Sequence, residues 1–146
     1  MDAVPVWFER KFDFTFPVEL HPNLCARLRG TPARLEELVR GHSPEALVSK
    51  PADKWSAQEH AGHLLDLEPL WLARLQDYLA HRDDLTPADL SNRKTSEAGH
   101  NNRDIALILA EFRHARWQLV VVVESLAGTA CRGGLFSALP PTGGGV

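Results

Sequence analysis

The sequence has few cysteines and no cysteine motif. Cys25 and Cys131 are the only two, and they lie far apart with no C-x-x-C pair. A zinc ribbon and a thioredoxin-like redox motif are therefore excluded, because both need closely spaced cysteines. A disulfide between the two remains open, but two unreactive thiols in a reducing compartment are the favoured interpretation.

An excess of basic charge is also missing, as is any long apolar run. Sixteen Lys and Arg against nineteen Asp and Glu give a net charge of −3, so we expect neither nucleic acid nor an anionic membrane as a partner. The longest aliphatic run, residues 119–123, is too short to span a bilayer. The N-terminus has no basic region followed by an apolar run, so no signal peptide is expected. These features predict a soluble, cytoplasmic protein.

What the sequence does contain is helical periodicity. Ser56, with Glu59 three residues later, forms a capping box that predicts a helix from about residue 57 to about residue 81. A third long helix should begin at Asn101 or Asn102 and end near Leu126, whereas the first helical region, residues 19–40, is interrupted at residues 30–32. We expect three long helices packed antiparallel, with the 57–81 helix at the centre of the core.

The two ends of the chain have a different composition. Phe12, Phe14 and Phe16 alternate with polar residues, which indicates an extended N-terminal arm packed on the helices. From Ala127 onward the chain is rich in Gly and Pro and has no helical periodicity. The predicted organisation is a helical domain over residues 1–126, including the arm, followed by an irregular tail over residues 127–146.

Histidines are the most informative candidate functional residues. His60 and His63 are one helical turn apart and could face one interior site. Spacing alone favours ordinary hydrogen-bonded histidines, because H-x-x-H occurs often by accident. No G-x-S-x-G, G-x-G-x-x-G or P-loop motif is present to indicate other chemistry.

A family resemblance singles out His63 as a candidate metal ligand. The run W-S-x-x-E-H-x-G-H-L-x-D-L-E-x-L-W-x-x-R, residues 55–74, resembles the second helix of the DinB/YfiT-like superfamily, and residues 87–101 are similar to its connecting segment. The resemblance covers about residues 28–126. It implies an all-α fold, an antiparallel four-helix bundle with up-down-down-up connectivity. It also implies a divalent metal (zinc, nickel or iron) held by three histidines, in a family that includes bacillithiol S-transferases and mycothiol-dependent isomerases.

The resemblance places the first metal ligand on His63 and leaves the other two without counterparts. The family supplies them from an H-x-x-x-H pair on its last helix, which this sequence lacks beyond Leu126. We therefore expect the last helix to be missing or replaced by the tail, as truncation, a shifted reading frame or a degenerate family member would each produce. The remaining ligand candidates are His60, His100, His114 and Asp66, while Glu68 should point elsewhere on the helix.

The expected function is a metal-dependent hydrolase or thiol S-transferase, acting on a small-molecule or thiol substrate, with an incomplete three-histidine site. The alternative is a non-enzymatic helical dimerisation module. We expect weak or absent metal binding by this chain alone, because a catalytic zinc takes three protein ligands. Catalytic residues are not identified by the sequence.

A homodimer is expected to cover the apolar groove of an unfinished bundle, with the arm or the tail as alternative covers. Trp71 is expected in the core, and Arg74 is expected to pair within the fold rather than with a substrate.

Overall fold

In the part of the protein that the structure describes, all regular secondary structure is helical. The computed structural model describes residues 11, 15–52 and 54–133, with side chains up to residue 126. Within that part there are five α-helices and no strand: α1 (His21–Val39), α2 (Pro44–Val48), α3 (Ala57–Leu79), α4 (Arg93–Glu97) and α5 (Ile105–Gly133). The all-α prediction is confirmed. None of these helices combines the length and the apolar content that crossing a membrane would require.

Helix α1 continues through Pro32, within the segment where an interruption was predicted. Pro32 has no N–H, so it cannot bond the carbonyl of Leu28 four residues earlier. Arg116 Nη1 donates to that carbonyl at 3.3 Å, which satisfies the orphaned acceptor from a different helix. The predicted interruption at residues 30–32 is therefore wrong. Helix α1 ends beside Gly41, whose φ of 83° suits the left-handed position after a helix.

Helix α5 begins later and ends later than predicted. Its first turn is capped by Asp104, whose Oδ1 accepts from the Ala106 N–H at 2.8 Å, while residues 100–102 form a separate 3-10 helix. The helix then runs to Gly133, seven residues beyond the expected end at Leu126. Alanines at positions 127 and 130 favour the helix and outweigh Gly128. Of the predicted N-terminal arm, the structure describes only residues 11, 15 and 16. The rest of the arm and the tail from residue 134 lie outside the described residues.

The side-chain contacts between the long helices fix their directions. Glu36 and Arg113 form one α1–α5 ion pair and Arg29 with Glu124 forms another, so these two helices run in opposite directions. Gln58 bonds the carbonyl of Arg103 and Glu68 pairs with Arg116. Helices α3 and α5 therefore run parallel. The first three long helices follow the up-down-down order of the family fold, and the expectation that all three pack antiparallel is wrong for α3 and α5.

Helix α5, rather than α3, is at the centre of the described fold. It packs against both α1 and α3, whereas α1 and α3 make little contact with each other. The buried hydrophobic residues are Cys25, Leu47, Ala61, Ile108, Phe112, Leu119 and Val120. At the centre, the carboxylate of Glu68 accepts two bonds from the Arg116 guanidinium, at 2.9 Å and 2.5 Å, with both side chains buried.

Candidate histidine site on helix α3

Buried polar groups hold the first turn of α3 to the segment between α3 and α5, residues 80–104, which we call the connector. The predicted capping box is present, with the Ser56 hydroxyl accepting from the Glu59 N–H and the Glu59 carboxylate accepting from the Ser56 N–H. The Ser56 hydroxyl also bonds Asn101 Oδ1 at 2.6 Å. Two residues on, the Gln58 amide donates to the carbonyls of His100 and Arg103, at 2.7 Å each. The 3-10 helix at residues 100–102 therefore lies directly against α3.

His63 lies one turn further along α3 and is half-buried. Its Nδ1 is 3.0 Å from the Thr95 hydroxyl, and its ring centroid is 5.0 Å from that of Trp55. His60 is exposed and only touches the edge of Trp55. Of the two histidines that could share one interior site, His63 is therefore the more buried. Because Nδ1 is occupied by Thr95, Nε2 is the His63 nitrogen that remains for another partner.

Asp66 connects His63 to a second histidine. Its Oδ2 accepts from the Thr95 hydroxyl at 2.9 Å and from His100 Nε2 at 2.8 Å. Lys94 lies beside the same residue, with Nζ 3.4 Å from its carbonyl. Asp66, one of the remaining ligand candidates from the sequence, is linked to His63 through Thr95 rather than directly. We call His63, Thr95, Asp66 and His100 the histidine network.

His100 is the most deeply buried residue of this network. The sequence offered it only as one of several ligand candidates, and the structure leaves it 2% exposed. Its ring lies on the backbone of Gly62, where an added Cβ would be 2.2 Å from His100 Cγ. His100 Nδ1 is buried with no hydrogen-bond partner among the described residues. An isolated glycine in a helical pattern was the available signal, because such a residue often marks a close approach.

The surroundings of His63 lower the pKa of its imidazole and so favour the neutral ring. Burial is the largest effect and lowers the pKa of its imidazole, because a charged ring loses solvation. The neighbouring His60 and His100 also lower this pKa, while the Asp66 carboxylate opposes them. A neutral imidazole with a free Nε2 can accept a proton or bind a metal ion.

The other predicted candidates lie apart from His63. Glu68 points elsewhere, as expected, and holds Arg116. His114 is exposed on α5 and bonds Gln118. Arg74 Nε donates to the carbonyl of Thr86 at 2.9 Å, which is a contact within the fold. Trp71, expected in the core, is 36% exposed, because no helix covers that face of α3 in the described residues.

The described residues do not assemble a complete metal site. All seven histidines of the 146 residues lie within the described ranges. No group of three His, Cys, Asp or Glu side chains in those ranges is placed to hold a metal ion. Within the described ranges, no three histidines therefore come together around one point. The residues around His63 offer it hydrogen bonds.

Fold and site together define a helical bundle protein with a buried polar network around one oriented histidine. The chain belongs to the DinB superfamily, whose family model matches residues 27–143. This match confirms the resemblance and extends it past residue 126, into the segment interpreted as a separate tail. No curated protein and no solved structure matches the chain.

Proposed function

We propose that this chain is a DinB-type helical module that pairs with a second copy of itself and does not complete a metal centre alone. The observation that carries the proposal is an exposed stripe on α5. Leu107, Trp117 and Val121 are 57%, 52% and 48% exposed. With Ala110 and His114 they recur at intervals of three and four residues, the spacing of a helix-to-helix seam.

The stripe can pack against the same stripe of a second copy of the chain. In a twofold contact each residue of one copy meets the residue related to it by symmetry. An antiparallel contact centred on His114 puts Leu107 opposite Val121, and the large Trp117 close to the small Ala110. Beside the stripe is a depression of about 520 Å³, lined in part by Ala110, His114 and Trp117. This depression can accommodate a partner's indole.

The assembly is tested by light scattering on the purified chain at micromolar concentration. We expect a mass of twice 16.2 kDa, and a monomer for Trp117→Lys because a charge would be buried at the seam. Leu90→Lys is the matched control, since Leu90 is 72% exposed on the connector and should remain dimeric. A wild-type monomer, or a dimer that survives Trp117→Lys, would contradict the proposal.

A metal-dependent hydrolase or thiol S-transferase is the second candidate function, with a small-molecule or thiol substrate. The specific support is His63, which lies at the family's ligand position and has its Nε2 free. Such an enzyme would need its remaining ligands from outside the described residues. Nucleic acid is not a proposed partner in either case, because the net charge is −3.

Metal titration of the purified chain separates the two candidates. We expect weak or no binding of zinc or nickel, and loss of whatever remains in His63→Ala. His42→Ala is the control, because His42 is exposed between α1 and α2 and belongs neither to the α5 stripe nor to the histidine network. About one tightly held metal ion per chain would favour the enzyme over the module.

A further inference from the structure

The direction of each hydrogen bond in the histidine network follows from its chemistry. A carboxylate accepts hydrogen bonds and donates none, and a threonine hydroxyl has a single hydrogen to donate. Asp66 Oδ2 lies 2.9 Å from Thr95 Oγ1, so the hydroxyl hydrogen points at Asp66. The Thr95 oxygen then has only lone pairs to offer His63 Nδ1, 3.0 Å away. The hydrogen between them belongs to His63.

We propose that Thr95 and Asp66 are positioning residues that hold His63 in its Nδ1–H tautomer and so place the lone pair on Nε2. Neutral histidine in water favours the opposite tautomer, with hydrogen on Nε2. The network therefore reverses the intrinsic preference of the side chain. This inference goes beyond the proposed function, because it concerns one copy of the chain and holds without a partner.

The carboxylate that sets this direction is itself fixed in place. The side chain of Asp66 is 9% exposed, and the same Oδ2 that accepts from Thr95 accepts from His100 Nε2 at 2.8 Å. His100 cannot turn away, because its ring lies against the backbone of Gly62. A hydrogen bond whose acceptor is charged is also stronger than one between neutral groups. Asp66 therefore outcompetes His63 for the Thr95 hydrogen.

The proposal defines what His63 can bind. A lone pair on Nε2 takes a hydrogen-bond donor, such as a thiol or a water molecule, or an electron-pair acceptor, such as a metal ion. With the opposite tautomer Nε2 would carry hydrogen and could bind only acceptors. The chemical class of the ligand at His63 is therefore set by Thr95, which lies 32 residues away in the sequence.

The tautomer is measured by long-range ¹H–¹⁵N correlation spectra of the histidine side chains. The full-length, ¹⁵N-labelled chain is studied with a chelator present and at a pH above the titration of its imidazoles. His63→Gln identifies the His63 signals by their loss. We expect a pyrrole-type nitrogen at Nδ1 and a pyridine-type nitrogen at Nε2. A wild-type spectrum with these two types exchanged would overturn the proposal without any further variant.

The threonine variants test the cause. Thr95→Val keeps the shape and removes the hydroxyl, so His63 should revert to the Nε2–H form or to a mixture. Thr95→Ser keeps the hydroxyl and should retain the wild-type pattern. If Thr95→Val retained that pattern, or Thr95→Ser lost it while folded, Thr95 would not be the residue that sets the tautomer. Dimer formation has no part in this readout, so the proposed function can fail while this inference stands, and the reverse.

Discussion

Gly62 is the position where a single methyl group should reveal how tightly the histidine network is packed. A Cβ at residue 62 would lie 2.2 to 2.4 Å from three ring atoms of His100. Those distances are far below van der Waals contact, and His100 is 2% exposed, so the ring has no space into which to move. Gly62→Ala must therefore displace His100 and break its bond to Asp66.

Three contributions determine the expected change in the free energy of unfolding: one stabilises the protein and two destabilise it. Glycine to alanine inside a helix normally stabilises by about 1 kcal/mol. Overpacking a well-packed core costs about 1–3 kcal/mol, and losing a hydrogen bond to a charged group costs about 1.5–3 kcal/mol. The net change is a destabilisation of about 3 kcal/mol. For a chain of this size that corresponds to a fall in Tm of about 6–12 °C.

Urea denaturation followed by circular dichroism measures this change, and Gly30→Ala is the matched control. Gly30 is also helical, but its added Cβ would meet only the far end of the Arg34 side chain, at 2.7 Å, which can swing aside. That variant should be unchanged or more stable by up to about 1 kcal/mol. If Gly62→Ala were as stable as Gly30→Ala, the packing of His100 against Gly62 would be refuted. In Gly62→Ala/His100→Ala the clash should be relieved.

Three further predictions concern other polar contacts. Glu68→Gln should destabilise the protein by about 3–5 kcal/mol in urea denaturation, because it leaves the buried Arg116 charge unpaired; a loss under about 1 kcal/mol would count against this. Ser56→Ala should cost about 1–2 kcal/mol by the same assay, since the hydroxyl caps α3 and also bonds Asn101, and no loss would show that water replaces both contacts. The pKa of Asp77 is lowered chiefly by hydrogen bonds from Thr86, so this carboxylate stabilises the fold above its unfolded pKa of about 3.9 and that contribution is lost as pH falls through the lower, folded value. Asp77→Asn should accordingly show less loss of stability between about pH 7 and about pH 3 than wild type, and equal losses would contradict this assignment.

Features that depend on neighbouring residues were predictable from the sequence. The capping box at Ser56 and Glu59 needs only a three-residue spacing, and the helix stop at Gly41 needs only a residue that tolerates positive φ. The family resemblance singles out His63 rather than His60, and His63 is the more buried of the two.

Features that depend on distant residues were not predictable from local patterns. Helix α1 continues through Pro32 because Arg116 bonds the carbonyl that the proline leaves free, and no rule about prolines contains that information. The burial of His100 depends on Gly62, which lies in a different helix, so no local pattern around His100 predicts it. The parallel course of α3 and α5 is likewise set by long-range pairs such as Glu68 with Arg116.

The central position of α5 has a consequence for the order in which the fold opens. Because α1 packs on α5 and makes little contact with α3, it can separate without disturbing the contacts between α3 and the connector. Local opening proceeds through the parts with the fewest shared contacts. The free energy of opening that lets amide hydrogens exchange with solvent should therefore be lower for α1 than for the first half of α3. The histidine network then belongs to the slower-exchanging unit, and His63 keeps its orientation while α1 is released.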